Sequence, residues 1–322
     1  MDDKVVVTGA AGFIGSHLCE ALVGGGFRVV GVDSFNPNYD VRIKRSNLSS
    51  LSENPRFELI EGSINDLDLD TALSGARFVF HLAAQAGVRD SWARRFDEYI
   101  DANIRATQVL CEACRGKAIE RFVYASSSSV YGDTAALPMN ESHPTRPHSP
   151  YGVTKLAGEA LCLLYKRNHG LPVVALRFFT VYGPRQRPDM AFHKFISAAF
   201  DGKPLRVYGN GAQTRDFTFV SDIVAANLGA MRYEGAESVF NVGGGSRIAL
   251  SAALEILAAG IGGRGRAQIV FEDPVKGDVM HTYADISLAR RELGYAPKVA
   301  LEEGLTREIE WIEASRESTR SG

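Results

Sequence analysis

Two short segments carry side chains whose types and spacing could move a proton. The stretch "VYASSSSVYG", residues 123–132, runs an apolar strand into four serines, Ser126 to Ser129. Four hydroxyls add little to a hydrophobic core. At the rim of a pocket they can orient a polar group or hand on a proton. Downstream, "SPYGVTK" puts Tyr151 and Lys155 four apart, one helical turn, so they share a face. A free tyrosine has a pKa near ~10. A neighbouring ammonium and any cationic ring bound alongside would both favour the phenolate, so Tyr151 could act as a base near neutral pH. Lys155 could also hold a hydroxyl of a molecule bound there. A serine hydroxyl facing Tyr151 would orient an alcohol under oxidation and stabilise the carbonyl it becomes. A Tyr and a Lys on one helix are by themselves usually core and surface. This pair is set apart by following a strand that ends in serines.

A second motif names the hydride acceptor. "TGAAGFIG" places Gly9, Gly12 and Gly15 after a short apolar strand and at the start of a helical pattern. Gly9 allows a tight turn, Gly12 lets a diphosphate approach the backbone, and Gly15 lets helix and strand pack closely. The helix N-terminus adds amide donors and a positive dipole end. The spacing is G-x-x-G-x-x-G rather than the commoner G-x-G-x-x-G, and a plain tight turn is the bland alternative. Asp33, at the end of the second strand, could accept bonds from both adenosine ribose hydroxyls and would repel a 2′-phosphate. That favours NAD over NADP.

The elements that must hold these groups follow a regular rhythm. Strands are predicted at "KVVVTG", "FRVVGVD", "RFELIEGSI", "ARFVFHLAA", "IERFVYASS" and "PVVALRFF", with helices over 13–24, 95–115 and 152–168. Alternation of this kind predicts an α/β fold, a doubly wound parallel sheet of Rossmann type. After about residue 179 come loops rich in Gly, Pro and Arg, then short helices and strands. The expected division is a cofactor-binding domain over 1–178, with a returning segment near 217–246. A smaller C-terminal α/β substrate domain would take 179–216 and 247–322.

Composition excludes several other classes. The 322 residues carry 36 Lys and Arg against 38 Asp and Glu, a net charge of −2 that offers no argument for nucleic acid or anionic membrane. No apolar run approaches the roughly 20 residues that span a bilayer. The acidic start "MDDKVVVTG" does not read as a secretory signal, and a cytoplasmic location is expected. Cys111 and Cys114 form a C-x-x-C without a second ligand pair. These two, Cys19 and Cys162 read as small core residues of helices, and no metal is expected.

The sequence resembles the extended short-chain dehydrogenase/reductase superfamily over nearly its whole length. Within that superfamily it is most similar to the nucleotide-sugar epimerases, in particular the UDP-glucuronate 4-epimerases. The resemblance is carried by "VTGAAGFIGSHL", "GVDSFNPNYDV", "HLAAQAGVRDS", "YASSSSVYG", "PYGVTKLAGE", "LRFFTVYGPRQRPDMA", "RDFTFVSDIV" and "GDVMHTYAD". It implies a tightly held NAD regenerated in each turnover, a UDP-sugar substrate and a homodimer. Ser127, Tyr151 and Lys155 match the family's catalytic set. Phe13, Ile14, Ser34, Asn36, Ser63, Ile64, Leu82, Ala83 and Ala84 fall in the implied cofactor pocket. Asn103 matches an asparagine that supports both that pocket and the active-site helix. On the substrate side fall Gly87, Val88, Arg89, Ser128, Ser129, Thr180, Ala191, Phe192, Val207 and Asp278. Tyr208 lies where the uracil packs, and Arg215 matches an arginine that binds the diphosphate. Two positions depart from the pattern. Ser63 stands where an acidic residue commonly meets adenine, and Lys276 replaces an arginine shortly before "GD".

Oxidation at C4 of a bound sugar yields a ketone with three fates: reduction from the other face, loss of water, or loss of a C5 carboxylate as carbon dioxide. Related dehydratases carry Asp-Glu just after the catalytic hydroxyl residue, and decarboxylases carry a Glu nearby. Here Ser128 and Ser129 are poor acid/base groups, which favours epimerisation. A 4-keto glucuronic acid keeps its carboxylate only if that bond is held out of line with the carbonyl π system. Ser128, Thr180 and Arg185 are the groups expected to hold it, the arginine as a charged donor. The alternative for Arg185 and Arg187 is a solvated loop or a diphosphate contact. Arg89 could equally pair with Asp90 or Asp97. The rival activities are a UDP-glucose/UDP-galactose or other UDP-sugar 4-epimerase, and a net NAD-dependent oxidoreductase. A non-catalytic NAD-sensing module is the rival of another class. The faces of the helices over 95–115 and 152–168 could pair two chains, or could be covered within one.

Overall fold

The computed structural model describes residues 3–92, 95–133, 136–273 and 279–321. Seven strands form one parallel sheet: β1 (Lys4–Thr8), β2 (Arg28–Asp33), β3 (Phe57–Glu61), β4 (Ala76–His81), β5 (Arg121–Ser127), β6 (Val173–Phe178) and β11 (Val239–Val242). Their order is β11–β6–β5–β4–β1–β2–β3. Helices cover both faces, as the apolar runs require. Val5 and Val7 pack with Leu18 and Leu22 of α1 (Phe13–Gly24), whereas Val6 packs with Leu110 and Cys162 on the other face. The strand sequence therefore reads as a continuous apolar run rather than an alternation. The expected doubly wound Rossmann-type sheet is present.

Shorter strands lie outside this sheet. β7 (Thr180–Tyr182) pairs with β10 (Phe217–Phe219), β8 (Leu205–Tyr208) with β13 (Ile269–Glu272), and β9 (Thr214–Arg215) with β12 (Ile248–Ala249). The remaining helices are α2 (Val41–Asn47), α3 (Leu69–Leu73), α4 (Phe96–Tyr99), α5 (Ala106–Cys114), α6 (Pro150–His169), α7 (Ala191–Phe200), α8 (Val220–Arg232), α9 (Leu250–Ile261), α10 (Ser287–Leu293) and α11 (Leu301–Ser321). Among the described residues no helix is long and apolar enough to cross a membrane.

Two elements differ from the sequence expectation for local reasons. α6 starts two residues early, because the Ser149 hydroxyl caps Gly152 N–H and Pro150 fits the first turn. It ends at Gly170, whose φ of +70° closes the last turn. The helix expected over 95–115 is interrupted by a π turn at Ile100–Arg105. That turn carries Asn103 inward, an arrangement often met beside functional sites. The four cysteines are free and buried, with Cys111 Sγ 3.8 Å from Cys162 Sγ, and burial pushes the Cys114 and Cys162 thiols up.

Candidate active site

The strand order reverses between β1 and β4, and a cleft opens at their carboxyl ends, where open α/β sheets place ligands. Its volume is about 860 Å³. One end is the glycine turn. Gly9 has a φ of +72°, and a Cβ there would stand 2.8 Å from the Ala83 backbone; one at Gly15 would stand 2.0 Å from Gly9 O. α1 thus starts against the turn itself. No side chain caps it, so its first-turn amides have no partner within the helix. The Asp33 carboxylate accepts from Ala11 N–H (3.0 Å) and Phe35 N–H (2.8 Å), which fixes it beside the turn with lone pairs to spare. Amides for a diphosphate next to a carboxylate for a ribose diol suit a dinucleotide. Gly12, Phe13, Ile14, Ser34, Asn36, Ser63, Ile64, Leu82, Ala83 and Ala84 all line this end.

Asn103 stands behind the cleft rather than in its lining. Its amide donates to Gln85 O and Thr154 Oγ1, both at 2.9 Å, and its oxygen accepts from Gln85 N–H at 2.7 Å. One buried side chain therefore ties the loop after β4 to α6. Tyr99, fully buried, donates to Gly87 O at 2.9 Å and meets the Tyr151 ring edge-on, which fixes the same loop from below.

The serines divide their work. Ser126, at the cleft's edge, donates to the Glu159 carboxylate at 2.5 Å. Ser127 accepts from Ser129 N–H at 3.1 Å and hydrogen-bonds Tyr151; Ser128 and Ser129 form a single 3-10 turn that also lines the cleft. Lys155 is buried with its ammonium 4.6 Å above the Tyr124 ring, and burial pulls it down to about 8. Burial pushes the Tyr151 phenol up; the Ser127 hydrogen bond and a nearby cation oppose this. That cation is Arg187, whereas the sequence reading looked to Lys155.

Beneath the serines lies a buried network. Arg177 of β6 makes a double ion pair with Glu159 of α6 (2.6 and 3.0 Å) and donates to Tyr131 Oη at 2.8 Å; Tyr131 donates to Asn241 of β11 at 2.7 Å. The pair sits one turn beyond Lys155, so it locks α6 against three strands.

The substrate side brings together most, not all, of the expected groups. Gly87, Val88, Arg89, Thr180, Ala191, Val207 and Tyr208 line the cleft. Arg89 lies over the Tyr208 ring, 4.5 Å from its centre. Three residues lie elsewhere. Arg185 donates to Glu20 of α1 at 2.7 Å and is not in the lining. Its backbone takes a φ of +66°, which turns the side chain away from the cleft. Phe192 is buried between Tyr182 and Phe217, an apolar core position. Arg215 donates to Thr214 O and Met280 O at β9, outside the lining. Asp278 and Lys276 lie outside the described residues.

The sequence reading chose Arg185 over Arg187, which lines the cleft together with Arg89 and Arg206. The charge of Arg187 acts on Tyr151, and its fork pairs with Asp189 at 2.9 and 2.8 Å. Tyr39, Lys44 and Lys194 also line the cleft and were not singled out. "GPRQRPD" offers two arginines two apart, and composition alone cannot say which one turns inward.

Comparison with known proteins agrees with this fold. Residues 5–243 match the family described as the NAD dependent epimerase/dehydratase family. The chain is 46% identical over 313 residues to the uncharacterized UDP-glucose epimerase YtcB of Bacillus subtilis, covering 96% of this chain and 98% of that one. The crystal structure of a UDP-glucuronic acid 4-epimerase from Bacillus cereus, in complex with UDP-glucuronic acid and NAD, is 42% identical. It covers 97% of this chain and 99% of its own, with a TM-score of 0.92. MoeE5, solved with NAD and either UDP-glucuronic acid or UDP-glucose, is 43% and 42% identical in the two structures. Both cover 97% of this chain and 99% of theirs, with a TM-score of 0.87. With three-quarters of its length matched and the glycine turn, serine strand and Tyr-Lys helix meeting in one cleft, the chain belongs to the NAD dependent epimerase/dehydratase family.

Proposed function

We propose that the chain interconverts the C4 epimers of a UDP-sugar, taking UDP-glucuronate to UDP-galacturonate without net redox. One observation carries this reading: Ser127, Tyr151, Lys155 and Arg187 line one cleft, with Ser127 hydrogen-bonded to Tyr151 and the charge of Arg187 acting on it. The glycine turn and Asp33 would hold NAD, which when bound would supply the hydride acceptor and donor. Tyr151 Oη takes the proton of the sugar's C4 hydroxyl. Ser127 Oγ steadies the phenolate before it takes the proton and holds the sugar oxygen as it becomes a carbonyl. The Arg187 charge and the buried Lys155 ammonium both favour the phenolate, and Lys155 orients a ribose hydroxyl. When the other face of the ketone is presented, Tyr151 Oη returns the proton to the alkoxide oxygen.

Arg187 takes the sugar carboxylate, with hydroxyls from Ser128 and Thr180. Held there, the carboxylate stays out of line with the carbonyl π system and carbon dioxide is not lost. Ser128 and Ser129 offer no acid or base for losing water. In the same reading the cofactor domain is 1–178 with 217–246, and 179–216 with 247–322 cover the sugar. The enzyme is cytoplasmic and works as a homodimer through α5 and α6, a face on which Val153 and Leu164 are about half exposed (47% and 50%).

The test is turnover of UDP-glucuronate and UDP-glucose with no NAD added. UDP-glucuronate should be epimerised, and Arg187→Ala should weaken it far more than UDP-glucose. Equal loss on both would remove the carboxylate role. Turnover of UDP-glucose alone would favour the neutral-sugar epimerase.

A further inference from the structure

The loop that delivers Arg187 is held at every preceding residue. Gly183 N–H donates to Glu308 of α11 at 2.9 Å, and His17 of α1 bonds Pro184 O at 2.9 Å. Gln186 donates to Val181 O and accepts from His193 N–H. Between these, Arg185 adopts a φ of +66°, a left-handed conformation that a residue bearing a Cβ rarely takes. Glycine would occupy it freely, so something must hold an arginine there. The Arg185 guanidinium reaches Glu20 on the outer side of α1 at 2.7 Å, and Ser50 donates to the same carboxylate. The left-handed residue sends Arg185 to α1 and lets Arg187, two positions on, enter the cleft beside Tyr151.

We propose that the Glu20–Arg185 ion pair is a positioning device for Arg187, coupling the cofactor helix to recognition of the sugar carboxylate; this rests on the reading of Arg187 as the carboxylate's partner. Neither Glu20 nor Arg185 lines the cleft. They fix the turn from which Arg187 projects, and α1 is the helix whose N-terminus faces the cofactor site. A displaced turn would mis-aim a guanidinium that must meet a carboxylate as a planar fork. A neutral sugar, with no carboxylate to meet, would feel little of it.

The experiment measures dissociation constants of UDP-glucuronate and UDP-glucose on the NAD-loaded enzyme by calorimetry. The variants are Glu20→Gln, Arg185→Ala, Arg185→Gly, Arg187→Ala and the reversed pair Glu20→Arg with Arg185→Glu. Glu20→Gln and Arg185→Ala should weaken UDP-glucuronate by about tenfold and change UDP-glucose by less than about twofold, whereas Arg185→Gly, which takes the left-handed turn unaided, should weaken UDP-glucuronate less than Arg185→Ala does. The reversed pair should restore much of the preference, which general destabilisation would not do. Loss of both sugars in equal measure, or no loss of either, while Arg187→Ala abolishes the preference, overturns the positioning role. If Arg187→Ala itself keeps the preference, the carboxylate reading fails first and the device with it.

Discussion

Replacing Gly152 with alanine should damage catalysis although alanine is the better helix former. In an exposed helix the change favours folding by about 1 kcal/mol. Here α6 begins against the serine turn. A Cβ at Gly152 would stand 2.6 Å from Ser129 O and 2.9 Å from Pro147 Cβ, where ordinary contact begins at 3.4 Å. The first obstacle is backbone, so helix or turn must give by roughly 0.8 Å, which follows from those contact distances. Gly152 adjoins Tyr151, and Ser129 is two residues from Ser127, so the displacement falls on the pair that shares the proton. A misplacement near 1 Å costs on the order of a hundredfold in rate. Gly152→Ala should therefore lower kcat between about 30-fold and 100-fold while the protein keeps its NAD. Turnover of UDP-glucuronate, NAD released on denaturation and thermal melting would be measured together. Gly24→Ala is the control: a Cβ there meets nothing within 4 Å, and activity should be unchanged. Gly152→Ala with turnover within about threefold of the parent would refute the idea that close approach of α6 sets this geometry.

Tyr151→Phe should lose about 10²–10⁴-fold in kcat and keep its NAD, since only the proton-moving oxygen is removed; unchanged kcat refutes the assignment. Lys155, drawn down to about 8 by burial, loses its charge as pH rises through that value, so kcat/KM should fall on the alkaline side there. Its folded pKa lies below the 10.5 of an unperturbed lysine. Folding is thus penalised at low pH, and this penalty is relieved as pH rises from about 8 to 10.5. Lys155→Met should remove that alkaline gain in stability, read from denaturant melts at several pH values. Removing either partner of the buried Glu159–Arg177 pair should cost about 3–5 kcal/mol, and the double alanine variant less than the sum of the singles, by urea unfolding.

Periodicity revealed the sheet because each strand is an apolar run short enough to sit between helices. Val5, Val6 and Val7 face both sides, as a parallel strand requires. The glycine turn, Asp33, Ser127, Tyr151 and Lys155 were legible because their spacing belongs to one local element each. What failed was orientation. Arg185 and Arg187 share a loop, and a single left-handed residue decides which one enters the cleft. Phe192, in the first turn of α7, packs on Tyr182 and Phe217 and so is absent from the cleft lining that its neighbour Ala191 joins. The π turn at Ile100–Arg105 left no mark in a pattern read at 3.6 residues per turn. Ser126, one of four identical hydroxyls, turned out to serve Glu159, because alternate residues of β5 point to opposite faces.

The most direct measurement incubates the purified protein with UDP-glucuronate in D2O, adds no cofactor, and follows the sugar by proton NMR. UDP-galacturonate should accumulate with its C4 hydrogen retained, no free NADH and no pentose product. Failure to form the epimer, deuterium at C4, or NADH released in step with sugar oxidised would each contradict a hydride held and returned within one cleft.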